Sequence, residues 1–141
     1  MLVYADASAL AKLFLEEVGS REAAAMWDAA AAVVTSTVAR TETLSALAVA
    51  HRAGRLDRNQ LRRAQRAWIV YRDALTFVEL TRGVADEAGS LANLHALGAL
   101  DAIHLASALT VMGADTVVAT WDRRLHHAAQ RVGLPTLPVA L

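Results

Sequence analysis

Short apolar segments alternate with longer amphipathic segments along this chain. Apolar runs, or apolar residues at every second position, predict strands at residues 2–5, 33–36, 75–80, 115–120 and, at an edge, 136–139. Apolar residues three and four positions apart predict helices in the intervals, at about residues 9–14, 20–32, 38–53, 58–74, 81–96, 100–112 and 123–132. Strands that alternate with helices pair in parallel through right-handed crossovers. We therefore expect an α/β fold with a central, mainly parallel sheet of four to five strands.

Local signals set the ends of several helices. Gly54 ends the helix at residues 38–53, and Asp57 is a good N-cap for the helix at residues 58–74. These two helices are expected to form a helical hairpin. The nearly all-apolar helix at residues 100–112 is expected to be buried.

The composition fits a single domain at residues 1–141. A chain of this length buries roughly 68–70% of its unfolded surface, which is enough for a core without cross-links. It has no cysteine, which excludes disulfides and Cys-based metal sites and is permitted in a reducing cytoplasm. No apolar run approaches the roughly 18 residues of a membrane span, and no basic leader is present. We expect a cytoplasmic protein with no membrane contact.

Charge is balanced overall but uneven along the chain. The 14 basic and 14 acidic residues give a net charge of zero, so no global field attracts nucleic acid. Seven arginines nevertheless lie between residues 52 and 72, with Asp57 as the single acid among them: Arg52, Arg55, Arg58, Arg62, Arg63, Arg66 and Arg72. A solvated helix face explains such a run. A phosphate-binding surface becomes the better interpretation only beside a site that cuts phosphates.

Four acids lie at or near the starts of predicted helices. Asp6 and Asp122 follow predicted strands, and Glu42 and Asp101 lie early in helices. Taken singly, such an acid is explained as a helix cap or as a first-turn acid, an effect of about 0.5–2 kcal/mol. Taken together, the four fall near the carboxyl ends of parallel strands, where α/β sheets open their ligand crevices. The sequence predicts that they face one crevice.

Carboxylates gathered in one crevice repel each other, and a bound cation relieves that repulsion. Mg²⁺ prefers oxygen ligands and keeps several waters, so two or three carboxylates suit it better than they suit Zn²⁺. Such an ion activates a water and neutralises phosphate charge, and a second ion about 3.5–4 Å away can stabilise a leaving oxygen. The acids therefore indicate phosphodiester hydrolysis.

The motifs around the acids resemble those of PIN-domain ribonucleases, in the same order and spacing. They are Val3-Tyr4-Ala5-Asp6-Ala7-Ser8, Arg40-Thr41-Glu42, Leu100-Asp101-Ala102-Ile103-His104-Leu105-Ala106 and Thr120-Trp121-Asp122-Arg123. The resemblance spans residues 2–137, and the length is similar to that of the VapC toxins of bacterial VapBC toxin–antitoxin pairs. Trp121 departs from the pattern, because the family commonly has a smaller or different residue there.

The resemblance implies a PIN-like three-layer α/β/α sandwich with the helical hairpin beside the active site. It implies a Mg²⁺- or Mn²⁺-dependent endoribonuclease that leaves a 5′-phosphate and a 3′-hydroxyl. Asp6 and Asp101 become direct metal ligands, and Glu42 and Asp122 direct or water-mediated ones. Which RNA is cut, and how many ions are bound, cannot be read from these motifs.

The resemblance also implies partners. These are an RNA substrate, a VapB-type antitoxin that inserts a segment into the acidic pocket, and a second copy of the chain, so that toxin and antitoxin form a hetero-oligomer. Apolar helix residues give the homodimer limited support, since in so apolar a domain they are more often core; they are Leu10, Leu13, Phe14, Leu44, Leu47, Trp68 and Tyr71.

Three residues near the acids have predicted supporting roles. Ser8 and Thr120 match positions whose hydroxyls hold a metal water or orient a carboxylate, and helix N-capping explains them equally well. His104 follows Asp101 by three residues on one helix face, within reach of a carboxylate or phosphate. We expect it to be a half-buried histidine with its hydrogen bonds satisfied.

Other basic residues are candidates for the substrate-facing surface. Those predicted to contact RNA phosphates are Arg40, Arg62, Arg66 and Arg123. The alternative for Arg40 and Arg123 is that they form surface ion pairs. His126 and His127 lack a third ligand nearby in the sequence and are expected on the surface.

Other protein classes fit these residues less well. A phosphatase with a nucleophilic aspartate needs a second acid two residues after Asp6, where Ser8 stands. A receiver-like signalling domain needs a lysine near its acids, but the only lysine, Lys12, lies in the first helix. Two alternatives stay open: a non-catalytic PIN-type module that binds RNA or protein, and a housekeeping PIN nuclease without an antitoxin.

Overall fold

Five parallel strands form one sheet in the computed structural model, which describes residues 1–141. The strands are β1 (Leu2–Ala5), β2 (Ala32–Ser36), β3 (Thr76–Val78), β4 (Thr116–Ala119) and β5 (Thr136–Leu137). Their order across the sheet is β3-β2-β1-β4-β5, and every neighbouring pair is parallel. The predicted α/β class and parallel sheet are confirmed.

Seven helices connect these strands. They are α1 (Ala7–Ala11), α2 (Ser20–Ala29), α3 (Val38–Arg52), α4 (Arg58–Ala74), α5 (Arg82–His95), α6 (Ala99–Thr110) and α7 (Arg123–Arg131). Asp57 caps α4 as predicted: its carboxylate accepts from the Gln60 N–H at 2.8 Å, while the Gln60 side chain accepts from the Asp57 N–H at 2.7 Å. No helix combines the length and the apolar character that a membrane crossing needs.

Two helices are shorter than the apolar spacing predicts. The helix α1 ends at Ala11, and the N–H of Phe14 bonds the Ala11 carbonyl at 3.0 Å in a tight turn. That turn places the Phe14 ring edge-on against Trp68, with ring centres 5.9 Å apart. The helix α2 ends at Ala29 because Ala32 pairs with Leu2 as the first residue of β2. In both places tertiary contacts override local helical spacing.

Alternate residues of the inner strands face opposite helical layers. On one face, Tyr4 and Val118 pack with residues of α5, α6 and α7. On the other face, Val3 and Ala119 pack with residues of α1, α2 and α4. The molecule is therefore the three-layer α/β/α sandwich that the resemblance implies.

The helices α3 and α4 pack against each other and against α1. Leu47 and Ala50 of α3 share a buried cluster with Ala64 of α4 and Ala11 of α1, so the predicted hairpin is present. Leu10, Leu47 and Trp68 lie in the core, whereas Leu44 is 40% exposed. Most of the apolar residues considered as dimer surface are therefore engaged within the chain. The apolar helix α6 is largely buried, although Leu100 in its first turn is exposed.

The sheet order places a crevice between the ends of β1 and β4. The chain leaves β1 towards β2 and leaves β4 towards β5, in opposite directions across the sheet. In open α/β sheets, ligands bind beyond the carboxyl ends of two strands whose connections diverge in this way. Residues that follow Ala5 and Ala119 are therefore placed where a ligand would enter.

Candidate functional site

Asp6 is buried at the end of β1, where it is the N-cap of α1. Only 4% of the residue is exposed. Its Oδ1 accepts from the Ala9 N–H at 2.9 Å, and its Oδ2 accepts from the Thr120 hydroxyl at 2.8 Å. The Ser8 hydroxyl lies 2.8 and 2.9 Å from the two oxygens. These donors fix the orientation of the carboxylate.

The hydroxyls of Ser8 and Thr120 also accept hydrogen bonds from the chain that follows β4. The Trp121 N–H donates to Ser8 Oγ at 2.7 Å, and the Asp122 N–H donates to Thr120 Oγ1 at 3.1 Å. Asp6 and Asp122, rather than Ser8 and Thr120, cap the adjacent helices. Of the two roles open to these hydroxyls, the structure therefore favours carboxylate orientation. Together they tie the ends of β1 and β4 into one unit.

Glu42 and His104 form a buried contact between α3 and α6. The Glu42 Oε2 lies 2.7 Å from His104 Nε2, and the Tyr4 hydroxyl lies 2.8 Å from His104 Nδ1. His104 is 2% exposed and Tyr4 is fully buried, so the prediction of a half-buried histidine underestimated its burial. Burial raises the pKa of Tyr4 far above its ordinary range, which keeps its hydroxyl protonated. Sequence reasoning missed Tyr4, whose only signal was a polar tip within an apolar strand.

Asp101 and Asp122 complete the set of four acids. Asp101 lies partly buried in the first turn of α6. Asp122 caps α7, and its Oδ1 accepts from the Arg124 and Leu125 N–H groups at 2.8 and 3.1 Å. The hydrogen bonds of the structure include none to the Asp101 carboxylate. Asp101 is therefore the acid with the most available oxygens.

The pKa values of Asp6 and Asp101 are both raised, and other carboxylates contribute to the rise only at Asp101. Burial raises the pKa of Asp6, against the opposing effects of His104 and of the hydrogen bonds from Ala9, Ser8 and Thr120. Burial also raises the pKa of Asp101, and repulsion from Asp122, Asp6 and Glu42 raises it further. Asp101 therefore lies within electrostatic reach of the other three predicted acids.

The donor set of this crevice fits a hard divalent cation. It offers carboxylate oxygens, and of the four acids only Glu42 has a basic partner, His104. No group of three or more Asp, Glu or His side chains is close enough to hold an ion together. Mg²⁺ fits such an arrangement because it needs only one or two carboxylates and completes its shell with waters. A groove of about 520 Å³ beside Glu42 is lined by Val38, Thr41, Ser45 and Leu100.

Trp121, which departs from the family pattern, packs beside the crevice. Its indole lies against Gly19, whose φ of +90° is a left-handed conformation. The Lys12 ammonium lies 5.5 Å from the centre of the indole ring and also bonds Glu17 at 2.9 Å. The large ring is thus accommodated because the residue opposite it has no side chain.

The four predicted RNA-contacting arginines have different surroundings. The Arg40 guanidinium stacks on Phe77 at 4.3 Å from the ring centre. Arg62 donates to the Asn59 side chain at 2.7 Å. Arg66 and Arg123 are exposed and form no ion pair, and none of the four pairs with an acid. The alternative interpretation of Arg40 and Arg123, that they form surface ion pairs, is wrong.

The expectation of two surface histidines is correct for His127 and wrong for His126. His126 is 1% exposed, and its Nε2 lies 2.8 Å from the Pro138 carbonyl oxygen. It is buried because it lies next to Leu125 on the inward face of α7, together with Ala128 and Ala129.

Comparison with known proteins agrees with this fold. A model of the PIN domain matches residues 3–131, and the chain therefore belongs to the PIN domain family. Over 140 residues it is 46% identical to Ribonuclease VapC45 of Mycobacterium tuberculosis, a match that covers 99% of this chain and 97% of that protein. The resemblance to PIN-domain ribonucleases of the VapC type is confirmed.

Solved structures of more distant proteins share the fold. The toxin VapC20 of Mycobacterium tuberculosis, which cleaves the sarcin-ricin loop, superposes with a TM-score of 0.69 at 18% identity, covering 94% of this chain and 95% of that one. VapBC2 from Rickettsia felis, bound to a DNA fragment from their promoter, superposes with a TM-score of 0.63 at 9% identity, covering 96% and 97%. At these identities the likeness establishes the PIN-like architecture.

Proposed function

We propose that this chain is a divalent-metal-dependent endoribonuclease and the toxin of a VapBC-type toxin–antitoxin pair. The name of its relative VapC45, a ribonuclease, supports hydrolysis of RNA. The products would carry a 5′-phosphate and a 3′-hydroxyl, and the substrate class is tRNA, rRNA or mRNA. The housekeeping nuclease and the inert binding module are the alternatives that the experiments below distinguish.

The observation that carries the proposal is a set of four acids, three of which have no basic partner in the protein. Asp6, Asp101 and Asp122 have no basic partner in any ion pair. Burial raises the pKa of Asp6 and of Asp101, so their ionised forms are disfavoured in the free protein. A binding module has no need of this costly arrangement, whereas a site for a cation and a phosphate does.

Each acid has a distinct part in the proposed reaction. Asp6 and Asp101 would hold Mg²⁺ or Mn²⁺ directly, and Glu42 and Asp122 would act directly or through water. When bound, the ion supplies Lewis-acid activation of water and neutralises phosphate charge. The residues orient the reactants so that water attacks phosphorus and the bond to the 3′ oxygen breaks. That oxygen takes a proton to become the hydroxyl.

The proposed nuclease activity is tested with purified protein and a structured RNA. Cleavage should require Mg²⁺ or Mn²⁺, stop with chelator, and leave 5′-phosphates that a phosphate-dependent exonuclease recognises. Asp6→Asn and Asp101→Asn should each abolish cleavage. Asp86→Asn, in which an exposed acid of α5 changes in the same way, should cut like wild type. Equal cleavage with chelator, or by both site variants, would contradict the proposal.

The proposed partner is an antitoxin with a basic segment that enters the acidic crevice. VapBC2, which shares the fold, is a VapBC assembly according to its description. A short reading frame beside the gene, encoding a DNA-binding head and a basic, apolar tail, is expected. Its product should suppress cleavage and should bind the Asp101→Asn variant more weakly. If no such inhibitor exists, a housekeeping nuclease becomes the better interpretation.

A homodimer is also expected. The sedimentation of the purified protein in solution tests this expectation.

A further inference from the structure

His104 connects two parts of the molecule that are distant in sequence. Its ring lies between Glu42, 62 residues earlier, and Tyr4, 100 residues earlier. These residues belong to α6, α3 and β1. One buried cluster contains residues of α6 and β1, and two others contain residues of α3. Such a contact cannot come from local chain geometry, and it orders the one acid of the site that lies beyond the first turn of its helix.

The chemistry of the contact fixes which atom donates. A carboxylate accepts and does not donate, so the proton between His104 Nε2 and Glu42 Oε2 belongs to the imidazole. In a neutral ring Nδ1 is then an acceptor, and the Tyr4 hydroxyl at 2.8 Å is positioned to donate to it. Glu42 therefore selects the tautomer that carries its proton on Nε2, and the buried Tyr4 hydroxyl is compatible with that tautomer because it can donate to Nδ1.

The contact engages one oxygen of Glu42 and leaves the other available. Oε2 is bonded to His104, whereas the hydrogen bonds of the structure include none to Oε1. The Glu42 side chain is 22% exposed, while that of His104 is 3% exposed. The histidine thus holds the carboxylate from its protein side, and the remaining oxygen can face the crevice.

We infer that His104 is a positioning residue that holds Glu42 in the orientation needed to support a divalent ion. This inference rests on the proposed nuclease function and extends it. A group that hydrogen-bonds a metal-site ligand commonly contributes a factor of about 10–100 in metal affinity or activity. His104 does not touch substrate or reacting atoms in this role.

The test compares Mn²⁺ affinity and RNA cleavage in four variants. His104→Leu removes the donor, and His104→Gln restores an N–H at a similar reach. Glu42→Gln removes the carboxylate, and the fourth variant combines it with His104→Leu. Mn²⁺ binding is measured by calorimetry on each protein without RNA, and cleavage is measured under single-turnover conditions. His126→Leu is the matched control, because His126 is also buried and bonds a backbone carbonyl.

The expected results separate positioning from folding. His104→Leu should weaken Mn²⁺ binding about 10-fold or more, and His104→Gln should recover most of the loss. In the Glu42→Gln background, His104→Leu should add little, because the carboxylate that His104 orients toward the ion has been replaced by a neutral amide. His126→Leu should lower the unfolding temperature without changing Mn²⁺ affinity.

Two results overturn the inference while leaving the nuclease function in place. One is a wild-type Mn²⁺ affinity in folded His104→Leu. The other is an equal loss of affinity from His104→Leu with and without Glu42. Wild-type protein that neither binds Mn²⁺ nor cuts RNA would instead overturn the proposed function itself.

Discussion

Thr120 donates a hydrogen bond of 2.8 Å to Asp6, although 114 residues separate them in the chain. The same hydroxyl accepts from the Asp122 N–H at 3.1 Å. A single side chain at the end of β4 therefore orders the buried acid of β1 and the capping acid of α7. Thr120 therefore helps to set the geometry of the crevice, although its own side chain is uncharged.

Thr120→Val should keep the volume of the side chain and remove both hydrogen bonds. A hydrogen bond to a charged group contributes about 1.5–3 kcal/mol, and the buried Asp6 would lose one of its donors. We expect urea unfolding to show a loss of about 1–3 kcal/mol and cleavage to fall at least about 10-fold. Thr110→Val at the end of α6, where the hydroxyl bonds only the Ser107 carbonyl, is the control. Unchanged cleavage by Thr120→Val would contradict an orienting role.

Asp101→Asn should stabilise the protein while it abolishes activity. The charge of Asp101 gains about 0.3–1 kcal/mol from the α6 dipole. Its raised pKa shows that burial and the neighbouring carboxylates outweigh that gain. With chelator present, the unfolding temperature of the variant should exceed that of wild type by a few degrees. A lower unfolding temperature would show that the dipole dominates.

The stability difference between these two proteins should depend on pH. A raised pKa means that folded Asp101 binds protons more tightly than it does in the unfolded chain. Its contribution to stability is therefore largest at low pH and declines as pH rises through the raised pKa. Asparagine does not titrate, so the advantage of the variant should widen from roughly pH 4 to about pH 7. Thermal scans with chelator check this, and a constant difference would contradict it.

Gly19→Ala should destabilise the protein through Trp121. An added Cβ would collide with the indole, and the φ of +90° is itself unfavourable for alanine. We expect a loss of about 1–3 kcal/mol in urea unfolding. Gly54→Ala is a matched control, since Gly54 also has a positive φ, +76°, but has no atom within 4 Å of such a Cβ. Equal losses of stability in the two variants would show that the contact with Trp121 is not the cause.

Charge reversal on α4 should weaken RNA binding without changing the chemistry of cleavage. Arg62 and Arg66 are exposed and have no acidic partner. For each RNA phosphate that the protein no longer neutralises, the slope of log affinity against log salt should fall by about 0.7–0.9. The double change Arg62→Glu and Arg66→Glu should therefore raise KM and leave the maximal single-turnover rate near wild type. Arg82→Glu with Arg131→Glu, on helices of the opposite layer, is the matched control.

The fold and the positions of the acids followed from local signals. A capping acid after an apolar strand can be recognised from a few neighbouring residues, and both Asp6 and Asp122 cap their helices. Parallel pairing then directs strand ends to one edge of the sheet. Those two steps bring the acids to one edge of the sheet, and the adjacency of β1 and β4 then places the residues that follow these strands beside each other.

The hydrogen-bond partners of these acids could not be predicted from the sequence, because they depend on how separate layers pack. The bond between His104 and Glu42 needs the register of α6 against α3, and no repeat or spacing in the sequence encodes it. His126 was misplaced for a related reason. Its polarity favours the surface, while its position next to Leu125 on α7 turns it inward, where its Nε2 bonds the Pro138 carbonyl and its Nδ1 has no partner.

The position of β1 between β2 and β4 also governs when the crevice can form during synthesis. The first strand leaves the ribosome early, but its second neighbour, with Thr120 and Asp122 behind it, follows more than a hundred residues later. Until then Asp6 lacks the hydrogen bond from Thr120, and Asp122, the fourth acid, has not been synthesised. We expect the proposed nuclease to be unable to cut RNA until Asp122 has emerged from the ribosome.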